Sequence, residues 1–335
     1  MGDAERFRGE WGPRGVPAWV STDLERIRQT YWDTWPPKLS DIDRELKCGR
    51  YRARVLRGCV TRGELGAPKM PESASREGAV VLVVPDAHAG PGQDMRRFRW
   101  LGRAIEHYGR AAMLRGVPFR VVWIGDTGDY HSLSHYDTGK ISAEGARYVL
   151  DVAAHADAMQ NTRDQVSDHV WQYTDKHWTE GNHEYRAVRH MQNHPALDGV
   201  LDGPWDVMQK HDIQCHTFLD IVTLDGVAYC HFMQNPGTGR AVGGINQARS
   251  MLLKGMRSMV VGHSHKLDSF VQNDLYGHPV KTMVVGCFFE HHESYAGQGN
   301  KSWWRGLVLL ENVRDGNFDE TPIRMDTVQA RFGDE

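Results

Sequence analysis

Short apolar runs alternate with longer stretches of helical spacing from residue 79 onward. The run AVVLVVP at 79–85 is continuously apolar, which is typical of a strand buried on both faces. Residues 94–116 repeat their apolar positions at helical spacing, FRVVWIG at 119–125 predicts a second strand, and 142–173 predict a long helical tract. This alternation predicts strands joined by helices, as in α/β folds.

The pattern becomes rich in strands after residue 213. Residues 213–232 predict a β-hairpin that turns at Asp225–Gly226. A helix around 244–255 follows, and three later apolar runs predict further strands: SMVVGHSH (258–265), KTMVVGCFF (281–289) and WWRGLVLLENV (303–313). We therefore expect an α/β fold with two sheets.

The first 78 residues differ from the rest of the chain in composition and in the pattern of apolar positions. Residues 1–20 are rich in Gly, Pro and Trp and predict an irregular arm, while residues 21–62 predict short helices. Residues 63–78, rich in Gly, Pro, Ser and charge, predict a linker. The expected organisation is a small N-terminal helical module followed by one catalytic domain over 79–335.

The helical module contains a short basic helix after a glycine turn, which resembles a helix-turn-helix. Arg50, Arg54 and Arg57 share one face of this predicted helix and are candidate contacts to the phosphates of nucleic acid. The alternative is a small helical bundle docked on the catalytic domain, with its arginines solvated or paired to acidic residues. Both interpretations stay open.

Composition narrows the class of protein. The chain has 335 residues, 40% of them hydrophobic and 25% charged, which indicates a globular protein. No apolar run is long enough to cross a bilayer and no secretory signal is visible, so we expect a cytoplasmic protein without membrane contact. Five scattered cysteines favour buried thiols in a reducing compartment.

Polar residues that can bind metals follow several of the predicted strands. In D-x-H and H-x-H sequences, side chains two positions apart in extended backbone point the same way, so that each pair can grip one cation. Glycines directly before three of the candidates allow the backbone to approach an ion closely. The candidates stand in five short motifs: Asp86-Ala87-His88, Gly125-Asp126-Thr127-Gly128-Asp129, Gly181-Asn182-His183-Glu184, Cys230-His231 and Gly262-His263-Ser264-His265.

These five motifs, in this order, resemble the signature of the calcineurin-like metallophosphoesterase superfamily, in particular its phage and bacterial members related to repair nucleases. The resemblance covers about residues 79–312. It implies a four-layer α/β/β/α sandwich and two divalent metal ions, Mn²⁺ foremost, with Fe or Zn²⁺ as alternatives. Asp86, His88 and His265 would hold the first ion, and Asn182, His231 and His263 the second. Asp126 would bridge both ions through its two carboxylate oxygens.

The same resemblance implies a mechanism. Two metal ions would generate a hydroxide that attacks phosphorus. His183 would be the general acid that protonates the leaving oxygen, and Asp129 would orient His183 or a metal ligand. For Asp129, a loop-capping role is an equal alternative.

The sequence departs from the family pattern at two places, which concern the ligand His231 and the strand before Gly181. His231 is followed by Phe232, where relatives usually carry glycine, and His216 in the predicted hairpin is its rival as a ligand. The strand expected before Gly181 has the polar sequence TDKHWTE.

Three functions are compatible with the sequence. The first is a phosphodiesterase acting on nucleic acid or nucleotides. The second is a phosphomonoesterase, either a small-molecule or a protein phosphatase. The third is a non-catalytic scaffold that binds metal, which the complete ligand set disfavours.

Overall fold

The computed structural model describes residues 78–137, 139–197 and 203–334. The predicted arm, the helical module with Arg50, Arg54 and Arg57, and the linker through residue 77 lie outside the described residues. The described part has a mixed α/β fold with two mixed sheets, which confirms the expected class.

The strands, in chain order, are β1 (Ala79–Val84), β2 (Phe119–Trp123), β3 (Asp175–Thr179), β4 (Gln214–His216), β5 (Val222–Leu224), β6 (Val227–Cys230), β7 (Met259–Val261), β8 (Leu267–Asn273), β9 (Pro279–Val285), β10 (Gly306–Arg314) and β11 (Asn317–Arg324). The helices are α1 (Arg96–Arg115), α2 (Tyr148–Arg163), α3 (Asp168–Tyr173), α4 (Tyr185–Asn193), α5 (Pro204–Gln209), α6 (Gln247–Gly255) and α7 (Met325–Phe332). Short 3₁₀ turns interrupt the loops, notably at His131–Leu133 and His135–Asp137.

The first sheet has the strand order β11-β10-β1-β2-β3-β4, and the second has the order β5-β6-β7-β9-β8. Strands β1 to β4 are mutually parallel, and so are β6, β7 and β9. Because parallel strands end at the same edge of a sheet, the loops after β1, β2 and β3 meet, and so do the loops after β6 and β7.

The alternation of side chains along β1 shows how the sheets pack. Val81 and Val83 share a buried cluster with Tyr229 and Val260 of the second sheet, whereas Leu82 belongs to a different cluster that contains Phe98 of α1. Successive side chains of a strand point to opposite faces, so one face of the first sheet meets the second sheet and the other meets helices. All of β1 is buried, as its apolar run predicts.

The prediction of one helical tract over 142–173 is wrong. Two helices, α2 and α3, occupy most of it, and Ser167 separates them as the N-cap of α3. The Ser167 hydroxyl also donates a hydrogen bond of 2.9 Å to Glu106 of α1. A serine that can bond both its own helix and a neighbour favours a helix start over a helix interior.

The predicted hairpin is confirmed from Val222 onward and is wrong for Gln214–His216. Val222–Leu224 pairs with β6 across the turn at Asp225–Gly226, but Gln214–His216 joins the first sheet as β4, parallel to β3. The polar segment before Gly181 does form a strand, β3, which lies between β2 and β4. Main-chain pairing on both sides therefore overrides its weak apolar pattern.

Among the described residues, no helix combines the length and the apolar character that crossing a membrane requires.

Candidate metal centre

Main-chain hydrogen bonds join the two loops that follow β1 and β2. The N–H groups of Ala87 and His88 both donate to the carbonyl of Asp126 at 2.9 Å, and the N–H of Ala89 donates to Thr127 at 2.8 Å. These hydrogen bonds hold the two loops side by side beyond the ends of β1 and β2, although the backbone at His88 and Asp126 is not extended.

Glycine is required at two contacts between these loops. A Cβ on Gly181 would lie 2.1 Å from Oδ1 of Asp126, and a Cβ on Gly262 would lie 2.3 Å from Oδ1 of Asp86. No larger residue fits either position without moving a carboxylate. The sequence predicts a close approach of these glycines to an ion, whereas the close contacts of the structure are with carboxylate oxygens.

Four of the predicted ligands have left-handed backbone conformations. The φ angles are 47° at His88, 44° at Asp126, 71° at His263 and 57° at His265. Residues other than glycine seldom adopt this conformation, and where they do it clusters at functional sites. Other described residues, such as Asp225 and Asp315, share this conformation, but at four candidate ligands it sets the direction of the side chain.

One group of ligand atoms converges on Nε2 of His231. This atom lies 2.9 Å from Oδ1 of Asn182, 3.2 Å from Oδ2 of Asp126 and 3.2 Å from Nδ1 of His263. An ion with bonds of about 2.1 Å holds neighbouring ligand atoms roughly 3.0–3.4 Å apart, so the spacing suits one metal ion. The other ring nitrogen of His231 donates to the carbonyl of Ile124 at 2.7 Å, which turns Nε2 toward the group.

A second group consists of Asp86, His88 and His265, whose ligand atoms lie within 4.8 Å of one another. Nε2 of His265 is 3.1 Å from Oδ2 of Asp86. Neither ring nitrogen of His88 hydrogen-bonds to any described residue, and the same holds for Oδ1 of Asp86, although both side chains are buried. Buried polar atoms without partners are costly, and a cation would satisfy them.

Asp126 lies between the two groups. Its Oδ2 atom is 3.2 Å from His231 and 3.8 Å from Nε2 of His88, whereas Oδ1 accepts the backbone N–H of His183 at 2.8 Å. The resemblance implied one carboxylate oxygen for each ion. The structure instead turns a single oxygen toward both groups and anchors the other oxygen to the main chain.

Electrostatics differ between the two histidines of the Asn182 group. Burial and the neighbouring His231 lower the pKa of His263 to about 4, so its ring is neutral and ready to bind metal at neutral pH. Burial also favours the neutral form of His231, but the charge of Asp126 outweighs it and raises the pKa of His231 to about 10. Metal binding there would release a proton.

His183 and Asp129 form a pair beside these groups. Nδ1 of His183 is 2.9 Å from Oδ1 of Asp129 and 2.8 Å from its carbonyl oxygen. Asp129 therefore orients the ring, as one of the two sequence interpretations predicts. Together with His88, the pair also offers ligand atoms within 4.8 Å of one another, but hydrogen bonds already occupy Nδ1 of His183.

His216, the sequence rival of His231, lies away from the metal groups. It belongs to β4, its ring stacks on that of His177 at 5.3 Å, and its Nε2 atom is 3.1 Å from Nδ1 of His177. His231, and not His216, is the histidine that contacts Asn182 and Asp126.

Glu184 is a supporting residue to which the sequence analysis assigned no role. Its carboxylate is buried and accepts four backbone N–H groups: those of Asp126 at 2.9 Å, Thr127 at 2.6 Å, Gly128 at 3.0 Å and Gly181 at 3.1 Å. Burial and the charge of Asp126 raise the pKa of Glu184 to about 8, while the N–H donors stabilise its ionised form. This one side chain fixes the loops after β2 and β3 relative to each other.

Arg186 also has no role in the sequence analysis. Its guanidinium donates to the carbonyl of Asp129 at 2.9 Å and lies 3.0 Å from Nε2 of His183. In the sequence, Arg186 stands three residues after His183. This spacing can bring two side chains to one side of a helix and could have indicated the contact.

Comparison with models of protein families finds no match for this chain, and comparison with curated proteins finds no similar sequence. The interpretation of the centre therefore rests on its residues and their geometry.

Replacing Glu184 by Gln tests its supporting role. The amide keeps the volume but turns an NH₂ group toward backbone N–H donors, so at least one buried donor loses its acceptor. We expect the free energy of unfolding of the metal-free protein to fall by about 3 kcal/mol, measured by urea denaturation in EDTA above pH 8, where the Glu184 carboxyl group is ionised. The exposed Glu144→Gln variant is the matched control and should stay within about 0.5 kcal/mol of wild type. Equal stability of both variants would contradict the supporting role.

Proposed function

We propose that this protein is a metal-dependent phosphoesterase of the calcineurin-like type that hydrolyses phosphodiester bonds in nucleic acid or nucleotides. The observation that carries the proposal is the position of Asp126, whose Oδ2 atom faces two separate groups of buried ligand atoms. A carboxylate shared between two such groups is suited to a two-metal site for phosphoryl transfer.

The ligand sets define the metal ions that fit. Asp86, His88 and His265 would hold one ion, Asn182, His231 and His263 the other, and Asp126 both. Mixed nitrogen and oxygen ligands favour Mn²⁺, with Fe or Zn²⁺ as alternatives, because Mg²⁺ prefers oxygen and water. We propose Mn²⁺. Bound there, two divalent ions would acidify a water molecule for attack on phosphorus and neutralise the phosphoryl oxygens.

The packing of the sheets is compatible with the four-layer sandwich that the family resemblance implies. Strands of the two sheets share one buried cluster, α1 packs on the first sheet, and Met251 of α6 packs with Ala228 and Val261 of the second. Helices on two outer faces around two inner sheets would complete the α/β/β/α arrangement. We include this arrangement in the proposal.

His183 would protonate the leaving oxygen. Burial lowers its pKa, but the charge of Asp126 and the hydrogen bond to Asp129 outweigh burial and raise it, which favours the charged ring. The contact between Arg186 and Nε2 of His183 opposes this, because two donors cannot share a hydrogen bond. A phosphoryl group that attracts the guanidinium would free Nε2 to carry the proton.

The alternative enzymatic function is hydrolysis of phosphomonoesters. The proposed metal centre could hydrolyse a phosphomonoester or a phosphodiester, so the residues around it determine the substrate. The cavity described below favours a diester with a nucleoside beside the reacting phosphate. A non-catalytic scaffold that binds metal would use the same ligands, so hydrolysis by the Mn²⁺-loaded protein is the property that separates it from an enzyme.

Asp126→Asn tests the shared carboxylate. The amide preserves the shape and the acceptor for the His183 N–H but removes the negative charge between the two groups. We expect hydrolysis of bis(4-nitrophenyl) phosphate by Mn²⁺-loaded protein to fall by about 10²–10³-fold. The thermal unfolding transition of the metal-free variant should stay cooperative.

Asp157→Asn, an exposed change on α2, is the control and should keep full activity. Activity of Asp126→Asn equal to that of this control would rule out the bridging role. Parallel rates on mono(4-nitrophenyl) phosphate distinguish a diesterase from a monoesterase.

His183→Ala tests the proton donor. The variant should keep the metal content of wild type, because His183 is not assigned as a ligand. We expect turnover to fall by about 10²–10⁴-fold on diesters with alkyl leaving groups and much less on 4-nitrophenyl esters, whose leaving group needs no proton. His278→Ala, on an exposed loop, is the control. A loss that is equal for both leaving groups would refute the general-acid assignment.

A further inference from the structure

A cavity of about 280 Å³ opens beside the metal centre, on the side of Asn182 and His263. Its volume is close to the lower limit of about 300 Å³ for ligand pockets, so it has room for one small unit of a substrate. Two of its lining residues, Asn182 and His263, are proposed metal ligands. A group bound in the cavity would therefore lie beside a phosphate held at the metal centre.

One wall of this cavity is aromatic. The ring of Phe218 stacks on Tyr185 at 4.6 Å, and the edge of Phe232 packs against Phe218 at 5.6 Å. The ring of Phe232 also lies 4.8 Å from the ring of His263. The N–H of Phe218 donates to buried Glu180 at 3.0 Å, which fixes this segment. The wall is thus a supported aromatic surface that reaches the metal ligands.

Another part of the lining is cationic. Arg186 and Arg189 of α4 are three residues apart and both line the cavity. Arg186 is only 14% exposed, and its nearest carboxylate oxygen, Oδ1 of Asp129 at 3.9 Å, is already bonded to His183. Arg189 is exposed and forms no ion pair within the part of the chain that the structure describes. These guanidinium groups can donate hydrogen bonds to a further phosphate.

We propose that the cavity is the subsite for one unpaired nucleotide next to the scissile phosphate, so that the substrate is single-stranded nucleic acid. The base would stack on Phe218 and Phe232, and the next phosphate along the strand would contact Arg189 and Arg186. This inference rests on the proposed function and names the substrate class of the same site.

The chemistry of the walls explains the preference for single strands. In a duplex both faces of a base are covered by its neighbours, so an aromatic wall gains contact only with a base that has left the stack. Aromatic stacking accepts every base because each has a π face, so cleavage should depend little on sequence.

Photo-crosslinking tests where the base lies. The probe is a single-stranded octamer, thymidine with one 5-iodouracil, bound to the full-length protein in EDTA so that no strand is cleaved. Irradiation joins iodouracil to nearby aromatic rings, and peptide mass spectrometry locates the bond. We expect the bond at Phe218 or Phe232. Bonds confined to other parts of the chain, residues 1–77 included, would overturn the proposal.

Binding of the same strand to variants tests both walls. Fluorescence anisotropy in EDTA should show about 10-fold weaker binding for the double variant Phe218→Leu, Phe232→Leu, which keeps apolar volume but loses both rings. Arg189→Gln should reduce the slope of log K against log salt by about 0.7, the value for one phosphate contact on a single strand. Phe270→Leu on β8 and Arg331→Gln on α7 are the controls.

The two proposals can fail separately. If variants of the aromatic wall bind single strands as wild type does, the subsite is wrong, even when Mn²⁺-loaded protein hydrolyses bis(4-nitrophenyl) phosphate. If crosslinks map to Phe218 or Phe232 but no phosphodiester is hydrolysed, the subsite stands and the proposed activity is wrong.

Discussion

Four backbone N–H groups converge on the buried carboxylate of Glu184, and the arrangement of the metal centre depends on this contact. Buried N–H groups must have acceptors, and these four N–H groups, in the loops after β2 and β3, find theirs in Glu184. Glu184 satisfies both loops at once. Asp126 and Asn182 are therefore held a hydrogen bond's distance from His231.

Much of the fold follows from the sequence because buried strands have a distinct apolar pattern. Runs such as 79–85 and 119–125 predict β1 and β2, and the polar residues after them predict where Asp86 and Asp126 gather. Pattern alone cannot assign a strand to a sheet. Gln214–His216 looks like half of a hairpin, but long-range pairing with β3 places it in the other sheet.

Other features of the centre had no signal in periodicity or spacing. The left-handed conformations at His88 and Asp126 arise from tertiary contacts between loops, which propensities do not contain. The role of Glu184 depends on donors from its own loop and from the distant loop after β2, and that of Arg186 depends on the position of Asp129. The anchoring of one Asp126 oxygen by the His183 N–H likewise depends on geometry that residue types do not specify.

In the proposed function the centre and the cavity beside it have separate tasks. The buried ligands would define which bond reacts, and the rings and guanidinium groups beside them would select the molecule that carries that bond. The central claim is that two ions bind on either side of Asp126. Crystals of the full-length protein grown with Mn²⁺ and measured at the manganese absorption edge test it most directly. Our account predicts two anomalous peaks per chain, both bonded to Oδ2 of Asp126, with His88 and His231 on different ions. A single peak, or peaks that contact neither histidine, would contradict it.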